Sequence, residues 1–252
     1  MEALKCTDLT IGYDTKTVLS GINLSLASGE LAVLIGANGS GKSTMLRTMA
    51  GLEKPLAGSV EICGATFDGM SRRELSRMRA IVSTWRQGGG ALTVEEAVSV
   101  GLNNSISLFG RISDEDRETV LKSISDVGIS DLAGRYLATL SDGERQKTMI
   151  ARALVQNTPV IFLDEPTAFL DVAARIEIME LLKNLACQGK TIVVSTHDIA
   201  PAVARADSLI VIDKKNKALC FGKTRQIIES KALDRAFAGS GVKFDASILD
   251  YR

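Results

Sequence analysis

Four short segments of this chain carry the residue types that phosphate and metal chemistry require. They are residues 36–44, 140–144, 160–165 and 195–198, and the last contains His197, the only histidine among 252 residues. The first is a glycine-rich turn, and the third places two carboxylates directly after four apolar residues. The second has the form of a helix start. A nucleotide-binding fold does not need this additional helix start to bind its own nucleotide. The segments predict a phosphate-binding site to which a second copy of the chain contributes.

Residues 36–44 read GANGSGKST, which fits the pattern G-x-x-x-x-G-K-S/T between a strand and a helix. Because glycine has no Cβ, backbone N–H groups around Gly39 and Gly41 can converge on phosphate oxygens. Lys42 is predicted to reach the β- and γ-phosphates, and the Ser43 hydroxyl to bind Mg²⁺. A glycine turn with a solvated lysine is the weaker alternative. The residues predicted to hold the nucleotide here are Gly36, Ala37, Asn38, Gly39, Ser40, Gly41, Lys42, Ser43 and Thr44.

Asp164 and Glu165 follow the apolar run 160–163. They are therefore expected at the carboxyl edge of a buried strand, where open α/β sheets bind their ligands. Asp164 is predicted to hold Mg²⁺ through its water shell, and Glu165 to orient and deprotonate the attacking water. An ordinary acidic strand end is the alternative. The glycine-rich turn and the following Pro166 favour the catalytic interpretation.

Residues 141–144 read SDGE, which has the form of a capping box with Ser141 as N-cap and Glu144 three residues later. A segment rich in helix-forming residues follows over 145–156. In isolation this pattern favours a well-capped helix with a purely structural role. A functional role is suggested by resemblance, because one large protein family places its signature at a similar spacing, twenty residues before the apolar strand and about a hundred after Lys42.

Apolar periodicity predicts the elements that position these segments. Residues 2–30 alternate apolar and polar positions, which is typical of antiparallel strands with one buried face. The apolar runs 31–35, 160–163 and 191–194, with a helix over 172–186, indicate a parallel sheet covered by helices. A further helix is expected over 44–51, and two short strands and two helices after His197.

The middle of the chain has a different pattern. From about residue 93 to residue 137 there is no strand-like run, and Ser113 has the form of an N-cap for a helix that ends at Gly128. Residues from about 88 to 156 are therefore predicted to form a helical subdomain within a single domain over 1–252.

Bulk composition excludes some classes of function. The chain has 30 basic and 30 acidic residues, so the basic excess that is typical of nucleic-acid binding is missing, and no nucleic-acid partner is expected. No run approaches the ~18 apolar residues of a membrane span and no secretory signal is present, so a soluble cytosolic protein is expected. The cysteines form no C-x-x-C pair and are interpreted as reduced thiols; they are Cys6, Cys63, Cys187 and Cys220.

In their order and spacing, these segments resemble the nucleotide-binding subunits of ABC transporters over nearly the whole chain. The similar positions are Tyr13 for the aromatic that stacks on adenine, residues 36–44 for the Walker A motif, residues 140–144 for the LSGGQ signature, residues 160–165 for Walker B, residues 169–171 for the D-loop, and His197 for the switch histidine. The alternatives are a packed strand-edge aromatic for Tyr13 and a core histidine for His197.

The resemblance implies an α/β fold with a P-loop NTPase core, an N-terminal antiparallel β subdomain and a helical insert that carries the signature. It also implies ATP and Mg²⁺ as cofactors, with ATP held between the Walker A motif of one subunit and the signature helix of the other. Ser141 and the Gly143 amide would then contact the γ-phosphate, and His197 would hold Glu165 and the water in line. Lys42 is counted with these two as catalytic, and the remaining nucleotide contacts implied are Glu144 and Asp171.

Two positions depart from the family pattern. The signature reads LSDGE, so the carboxylate of Asp142 must point away from the phosphate or be paired. A glutamine that contacts Mg²⁺ and the membrane partner is expected after a strand, and Gln87 is the natural candidate, although the expected position could fall on Trp85.

Three segments are most similar to ATPases of the iron-siderophore, haem and cobalamin importers. They are residues 92–101, residues 140–154, which begin with the signature, and the tail 241–245. This similarity implies a homodimer at the cytoplasmic face of the cell membrane, joined to permease subunits and indirectly to a substrate-binding protein. The alternatives are the ATPase of another importer or exporter, a soluble ABC ATPase such as an iron–sulfur assembly factor, and a nucleotide-gated protein without turnover.

Overall fold

The computed structural model describes residues 1–14, 16–67, 69–83, 91–102, 112–238 and 244. Gln87 and its alternative Trp85 lie outside the described residues, as does the tail similarity at 241–245 except for Phe244. Both remain predictions. Within the described ranges, no helix combines the length and apolar character needed to cross a bilayer.

The described residues contain ten strands, which form two sheets. The strands are β1 Glu2–Tyr13, β2 Lys16–Ala27, β3 Leu31–Gly36, β4 Ala57–Ile62, β5 Ala65–Thr66, β6 Arg79–Val82, β7 Val160–Asp164, β8 Thr191–Ser195, β9 Ser208–Asp213 and β10 Ala218–Lys223. The order β2-β1-β4-β5 makes an antiparallel sheet, and the order β10-β9-β3-β8-β7-β6 makes a second sheet. The second sheet is parallel except for β10, which forms an antiparallel hairpin with β9.

Nine α-helices are described. They are α1 Lys42–Met49, α2 Arg72–Met78, α3 Val94–Ser99, α4 Asp114–Asp126, α5 Asp142–Leu154, α6 Val172–Cys187, α7 Ile199–Arg205, α8 Thr224–Glu229 and α9 Ala232–Ala236. Two short 3-10 turns, Ser130–Leu132 and Leu137–Thr139, lie between α4 and α5.

Strand β3 lies between two hydrophobic cores, because successive side chains of a strand point to opposite faces. Leu31, Val33 and Ile35 join the core beneath α5, α6 and α7, whereas Ala32 and Leu34 join the core shared with α1 and the antiparallel sheet. All of these residues are fully buried. The continuous apolar run of β3 therefore reflects a strand covered on both faces, and it fixes where the following glycine-rich turn emerges.

The middle of the chain is helical, as the sequence predicts. Helices α3, α4 and α5 pack on one another through fully buried side chains that include Val98, Val120 and Ile150. No strand lies between residue 91 and residue 159 in the described part of that range. Helix α5 begins with the signature residues, so the helical insert carries the signature. The bounds 88–156 for this subdomain remain a prediction.

Helix α5 begins at Asp142 directly after its N-cap Ser141, as the capping pattern predicts. Two helix predictions need correction. Helix α1 begins at Lys42, because Gly41 adopts the left-handed conformation with φ of 103° and serves as its N-cap. In the described part of the chain, three helices rather than two follow His197. The additional helix is α7, which tolerates Pro201 because that residue lies in its first turn, where no intrahelical partner for the backbone N–H is needed.

Candidate active site

The parallel pairing of β3 with β8, and of β8 with β7, brings the carboxyl ends of these strands to one edge of the sheet. The glycine-rich turn follows β3. Asp164 is the last residue of β7, Glu165 is the first residue after it, and His197 lies just past β8. The register places Asp164 opposite Ser195. The sheet therefore collects three of the four sequence segments at one place, as their patterns predict.

The turn between β3 and α1 needs glycine at specific positions. A Cβ on Gly36 would lie 2.6 Å from the Ser40 hydroxyl oxygen, and a Cβ on Gly41 would lie 2.5 Å from Cγ1 of Val18 in β2. Gly41 also has a φ of 103°, a backbone conformation that residues other than glycine rarely adopt. The turn is thus packed tightly against itself and against the antiparallel sheet.

The Lys42 ammonium forms hydrogen bonds with the backbone of this turn. Its Nζ donates to the carbonyl oxygens of Gly36 at 2.9 Å and of Ala37 at 3.5 Å. Burial lowers the pKa of Lys42, while the nearby charges of Glu165 and Asp164 act in the opposite direction. Among the described residues no carboxylate forms an ion pair with Lys42, so its charge is available to an anion.

The residues around the turn fit a bound triphosphate. A cavity of about 440 Å³ opens over them, lined by Val18, Asn38, Gly39, Gly41, Lys42, Ser43, Thr44 and Glu165. The Ser40 hydroxyl is buried and has no hydrogen-bond partner in the described part of the protein. Backbone N–H groups, one buried ammonium and an unpaired hydroxyl form a set of donors that suits phosphate oxygens. A larger cleft of about 790 Å³ opens between β2 and β10, but none of these residues lines it.

Two oxygen ligands suitable for Mg²⁺ face each other beside this cavity. The Ser43 hydroxyl lies 3.5 Å from Oδ1 of Asp164. Hydroxyl and carboxylate oxygens are the ligand types that Mg²⁺ takes from proteins. These side chains therefore fit the metal that the sequence predicts at Ser43 and Asp164.

Ser195 at the end of β8 connects the two carboxylate positions. Sequence reasoning included it in the segment 195–198 but assigned it no role. Its hydroxyl donates to Oδ1 of Asp164 at 2.5 Å and accepts from the Glu165 backbone N–H at 3.1 Å. The Glu165 N–H also approaches the Ser195 carbonyl oxygen at 3.0 Å. The available signal was its position as the last residue of an apolar run, directly before Thr196 and His197.

The structure brings Glu165 and His197 together. Nδ1 of His197 lies 3.4 Å from Oε2 of Glu165. The histidine side chain is 49% exposed, which excludes the alternative of a core histidine. A carboxylate and an imidazole in contact beside a phosphate-binding cavity can hold and move protons at an attacking water.

Tyr13 ends β1 next to the cavity. Its hydroxyl oxygen accepts a hydrogen bond from Oγ1 of Thr44 at 3.0 Å, and 48% of the residue is exposed. The aromatic ring is therefore tied to α1 and accessible from solvent. Its contact with adenine stays a prediction.

The N-terminus of α5 is the capping box that its sequence predicts. The Ser141 hydroxyl accepts from the Glu144 N–H at 3.3 Å, and the Glu144 carboxylate accepts from the Ser141 N–H at 2.7 Å. Asp142 forms an ion pair with Arg145 at 3.0 Å. Its carboxylate is therefore paired, which is one of the two outcomes that the sequence requires at this position.

No residue of the signature lines the cavity over the glycine-rich turn of the same chain. A Cβ on Gly143 would touch only Ala174 of α6, at 3.4 Å. Asp171 also lies outside the lining of the cavity, and its side chain caps α6 by accepting from the Ala174 N–H at 2.8 Å. One chain thus contains the glycine-rich turn and the signature at separate places, and nucleotide contacts by Ser141, Gly143, Glu144 and Asp171 remain predictions.

The capping box of α5 makes a testable contribution to acid stability. Hydrogen bonds from Ser141 lower the pKa of Glu144 from 4.5, so its contribution is complete above that pH and is lost as the pH falls through the folded-state value. Glutamine can form the same box without titrating. We therefore expect wild type to lose stability relative to Glu144→Gln as the pH falls below about 4.5, by less than about 1 kcal/mol at this solvent-screened site.

Urea unfolding of both proteins at several pH values measures this difference. Glu118→Gln, on the exposed side of α4, is the control for the loss of an exposed carboxylate. An unchanged stability difference between wild type and Glu144→Gln across the acid range would contradict the titrating cap.

The strand, glycine-rich turn and helix, with a carboxylate at the end of β7, define a P-loop nucleotide hydrolase. The antiparallel sheet and the helical insert narrow this class to an ATP-binding cassette. A family model described as ABC transporter matches residues 19–168, which is more than half of the chain. The chain belongs to the ABC transporter family, as an ATP-binding subunit.

Individual relatives agree with this assignment. The chain is 36% identical to the iron(3+)-hydroxamate import ATP-binding protein FhuC of Bacillus subtilis over 250 residues, covering 99% of this chain and 91% of that protein. It is 34% identical to the ferric enterobactin transport ATP-binding protein FepC of Escherichia coli over 235 residues, covering 93% and 86%. A structure of a metal-chelate type ABC transporter in an inward-facing conformation superposes with a TM-score of 0.81 at 29% identity, covering 94% and 89%.

Membership of this family settles the coarse function. The chain binds nucleotide and is an ATP hydrolase coupled to transport, as the sequence predicts. It works with permease partners, through which it is associated with the membrane.

Proposed function

We propose that this chain powers the import of a metal chelate, namely an iron-siderophore, haem or cobalamin, through a partner permease at the cytoplasmic face of the cell membrane. The relatives named above are ATP-binding proteins of iron(3+)-hydroxamate import and ferric enterobactin transport, which supports a ferric chelate first. The 3.4 Å contact between Glu165 and His197 beside the phosphate-binding cavity is the observation that carries the enzymatic part.

Each side chain of the site has a proposed role. Lys42 and the backbone N–H groups of residues 36–44 hold the phosphates of ATP. Ser43 and Asp164 hold Mg²⁺, which when bound neutralises phosphate charge. Glu165 takes the proton from the attacking water, and His197 holds Glu165 and that water in line.

A second copy of the chain is proposed to complete the site. The helix N-terminus at Ser141 presents backbone N–H groups and a partial positive charge, which suits an anion. Because residues 140–144 do not line the cavity of their own chain, this helix start would contact the γ-phosphate bound to the other copy. The proposal therefore includes a head-to-tail homodimer that closes on ATP, while a substrate-binding protein acts only through the permease.

The alternatives receive less support. An ABC ATPase of another transporter, or a soluble iron–sulfur assembly factor, would have the same cassette, but the relatives above are named for siderophore uptake. A nucleotide-gated protein without turnover is disfavoured because Glu165 and His197 are both present and in contact.

Cross-linking tests the head-to-tail arrangement. Cysteines introduced at Ser40 and Ser141, in a Glu165→Gln chain, are expected to form an intermolecular disulfide in the presence of Mg·ATP and not without it. Ser40→Cys combined with Ser125→Cys, which lies on the exposed side of α4, is the control that should stay monomeric. Absence of the Ser40–Ser141 cross-link under all nucleotide conditions would overturn the proposed dimer.

The native cysteines can be handled separately. Cys63, Cys187 and Cys220 are not buried and should be replaced by serine. Burial raises the pKa of the Cys6 thiol to about 12, so it is expected to stay unreactive and can be kept.

The cargo is tested in the assembled transporter. We expect the chain with its permease in membranes to hydrolyse ATP faster when a ferric hydroxamate and its binding protein are supplied. Stimulation by another solute class alone would assign the chain to a different importer.

A further inference from the structure

Glu165 and His197 belong to different loops, and their contact depends on how those loops are held together. Glu165 starts the loop that follows β7, and His197 lies in the loop that follows β8. Parallel strands fix the start of each loop but not the side chains beyond it. Some contact between the loops must therefore set the 3.4 Å separation of the pair.

In addition to the bonds from the Glu165 N–H to Ser195, one carboxylate joins the two loops. Oδ2 of Asp198 accepts from the Thr167 hydroxyl at 2.7 Å, and Oδ1 accepts from the Arg175 guanidinium at 2.6 Å. Asp198 directly follows His197, and Thr167 lies two residues after Glu165. The Asp198 side chain is 10% exposed, so both hydrogen bonds are largely shielded from water. An isolated buried carboxylate is costly, and here two donors compensate it.

Further bonds make the junction rigid. The Asp198 N–H donates to Oγ1 of Thr196 at 3.0 Å, and that hydroxyl lies 3.3 Å from the Thr167 hydroxyl. Nε of Arg175 donates to the Leu170 carbonyl oxygen at 2.8 Å, so α6 also holds the far end of the loop that begins at Glu165. These hydrogen bonds form one network that connects the two loops with α6.

We propose that Asp198, Arg175 and Thr167 act as positioning residues for the Glu165–His197 pair, and we call these three residues the loop clamp. The inference rests on the proposed roles of Glu165 and His197. The loop clamp holds Glu165 and His197 at the separation in which the imidazole can steady the carboxylate and the attacking water. Its loss leaves the phosphate-binding turn intact, because that turn is built from β3, α1 and β2.

The first test compares two variants in which a basic side chain of α6 is replaced by methionine. Arg175→Met removes the guanidinium from Asp198, and Lys183→Met removes an ammonium that pairs with Asp207 at 2.5 Å. The two cations are 32% and 30% exposed, so the packing changes are matched. Asp207 precedes β9 and lies at the opposite edge of the sheet from the active site.

We expect Arg175→Met, in the full chain with its permease, to lower kcat by about 10- to 100-fold, since small displacements of catalytic groups have effects of that size. The KM for ATP should change less than about threefold, because the interaction is used in the chemical step rather than in binding. Lys183→Met should lower the melting temperature by a similar amount and leave kcat unchanged.

A second pair of variants isolates the hydroxyl at Thr167. Thr167→Val removes the hydrogen bond with little change in volume, whereas Thr167→Ser retains the hydroxyl. We expect Thr167→Val to lower kcat with KM nearly unchanged, and Thr167→Ser to restore it. This pair decides the matter if Arg175→Met fails to fold.

The reference variants Glu165→Gln and His197→Ala separate the two levels of inference. If both abolish turnover while Arg175→Met and Thr167→Val behave like Lys183→Met, the loop clamp is structural only and the inference is overturned. If Glu165→Gln and His197→Ala hydrolyse ATP at the wild-type rate, the proposed function itself is wrong and the loop clamp falls with it.

Discussion

Replacement of Glu165 by glutamine is expected to reduce ATP hydrolysis by about 10²- to 10⁴-fold, the usual contribution of a positioned general base. Glutamine has nearly the same shape but cannot accept the proton of the attacking water. The hydrogen bonds that fix this position to Ser195 come from the backbone N–H and survive the change. ATP binding and nucleotide-dependent dimerisation should therefore persist.

Phosphate release at saturating Mg·ATP measures the loss, and gel filtration with and without ATP measures the dimer. Glu180→Gln, which alters an exposed carboxylate of α6 that pairs with Arg205, is the matched control and should retain turnover. Wild-type hydrolysis by Glu165→Gln would show that the proton goes elsewhere.

Replacement of Lys42 by methionine is expected to weaken ATP binding by at least about 100-fold, since each charge-assisted hydrogen bond contributes about 1.5–3 kcal/mol. The change removes the charge that faces the cavity and also the bonds to the carbonyl oxygens of Gly36 and Ala37, which close the glycine-rich turn. Methionine keeps an unbranched side chain that is only one heavy atom shorter, so the hydrophobic core beside α1 is little disturbed.

Titration calorimetry with ATP measures this loss directly. Arg47→Met is the control on the same helix, because Arg47 forms an exposed ion pair with Glu53 and does not line the cavity. Equal ATP affinity in Lys42→Met and wild type would mean that the phosphates bind outside the glycine-rich turn.

Local patterns predicted the elements that carry the site. The apolar run before Asp164 became β7, the run 31–35 became β3, and the box at Ser141 formed as expected. Each of these signals lies within a few residues of the feature that it predicts, so a single sequence is sufficient to read it. The predicted nucleotide contact of Ser141 came from family resemblance and not from the capping pattern, which by itself favours a structural helix start.

Contacts between distant segments could not be predicted in this way. The bond from Ser195 to Asp164, the approach of Val18 to Gly41 and the ion pair between Arg175 and Asp198 join residues that are far apart in sequence. No periodicity relates such residues, because the pairing of whole strands and helices decides which of them meet. The order of β3, β8 and β7 in the sheet had to be known before these contacts became visible.

Glu165 has a φ of 50°, a left-handed conformation that is uncommon for residues other than glycine and asparagine. With this backbone conformation, Oε2 of Glu165 lies 3.4 Å from Nδ1 of His197, and strain of this kind occurs preferentially at functional sites. Glycine would adopt the same conformation without strain, but it would remove the proposed general base. Attempts to engineer a hardier transporter should accordingly leave this turn untouched and seek their gains elsewhere.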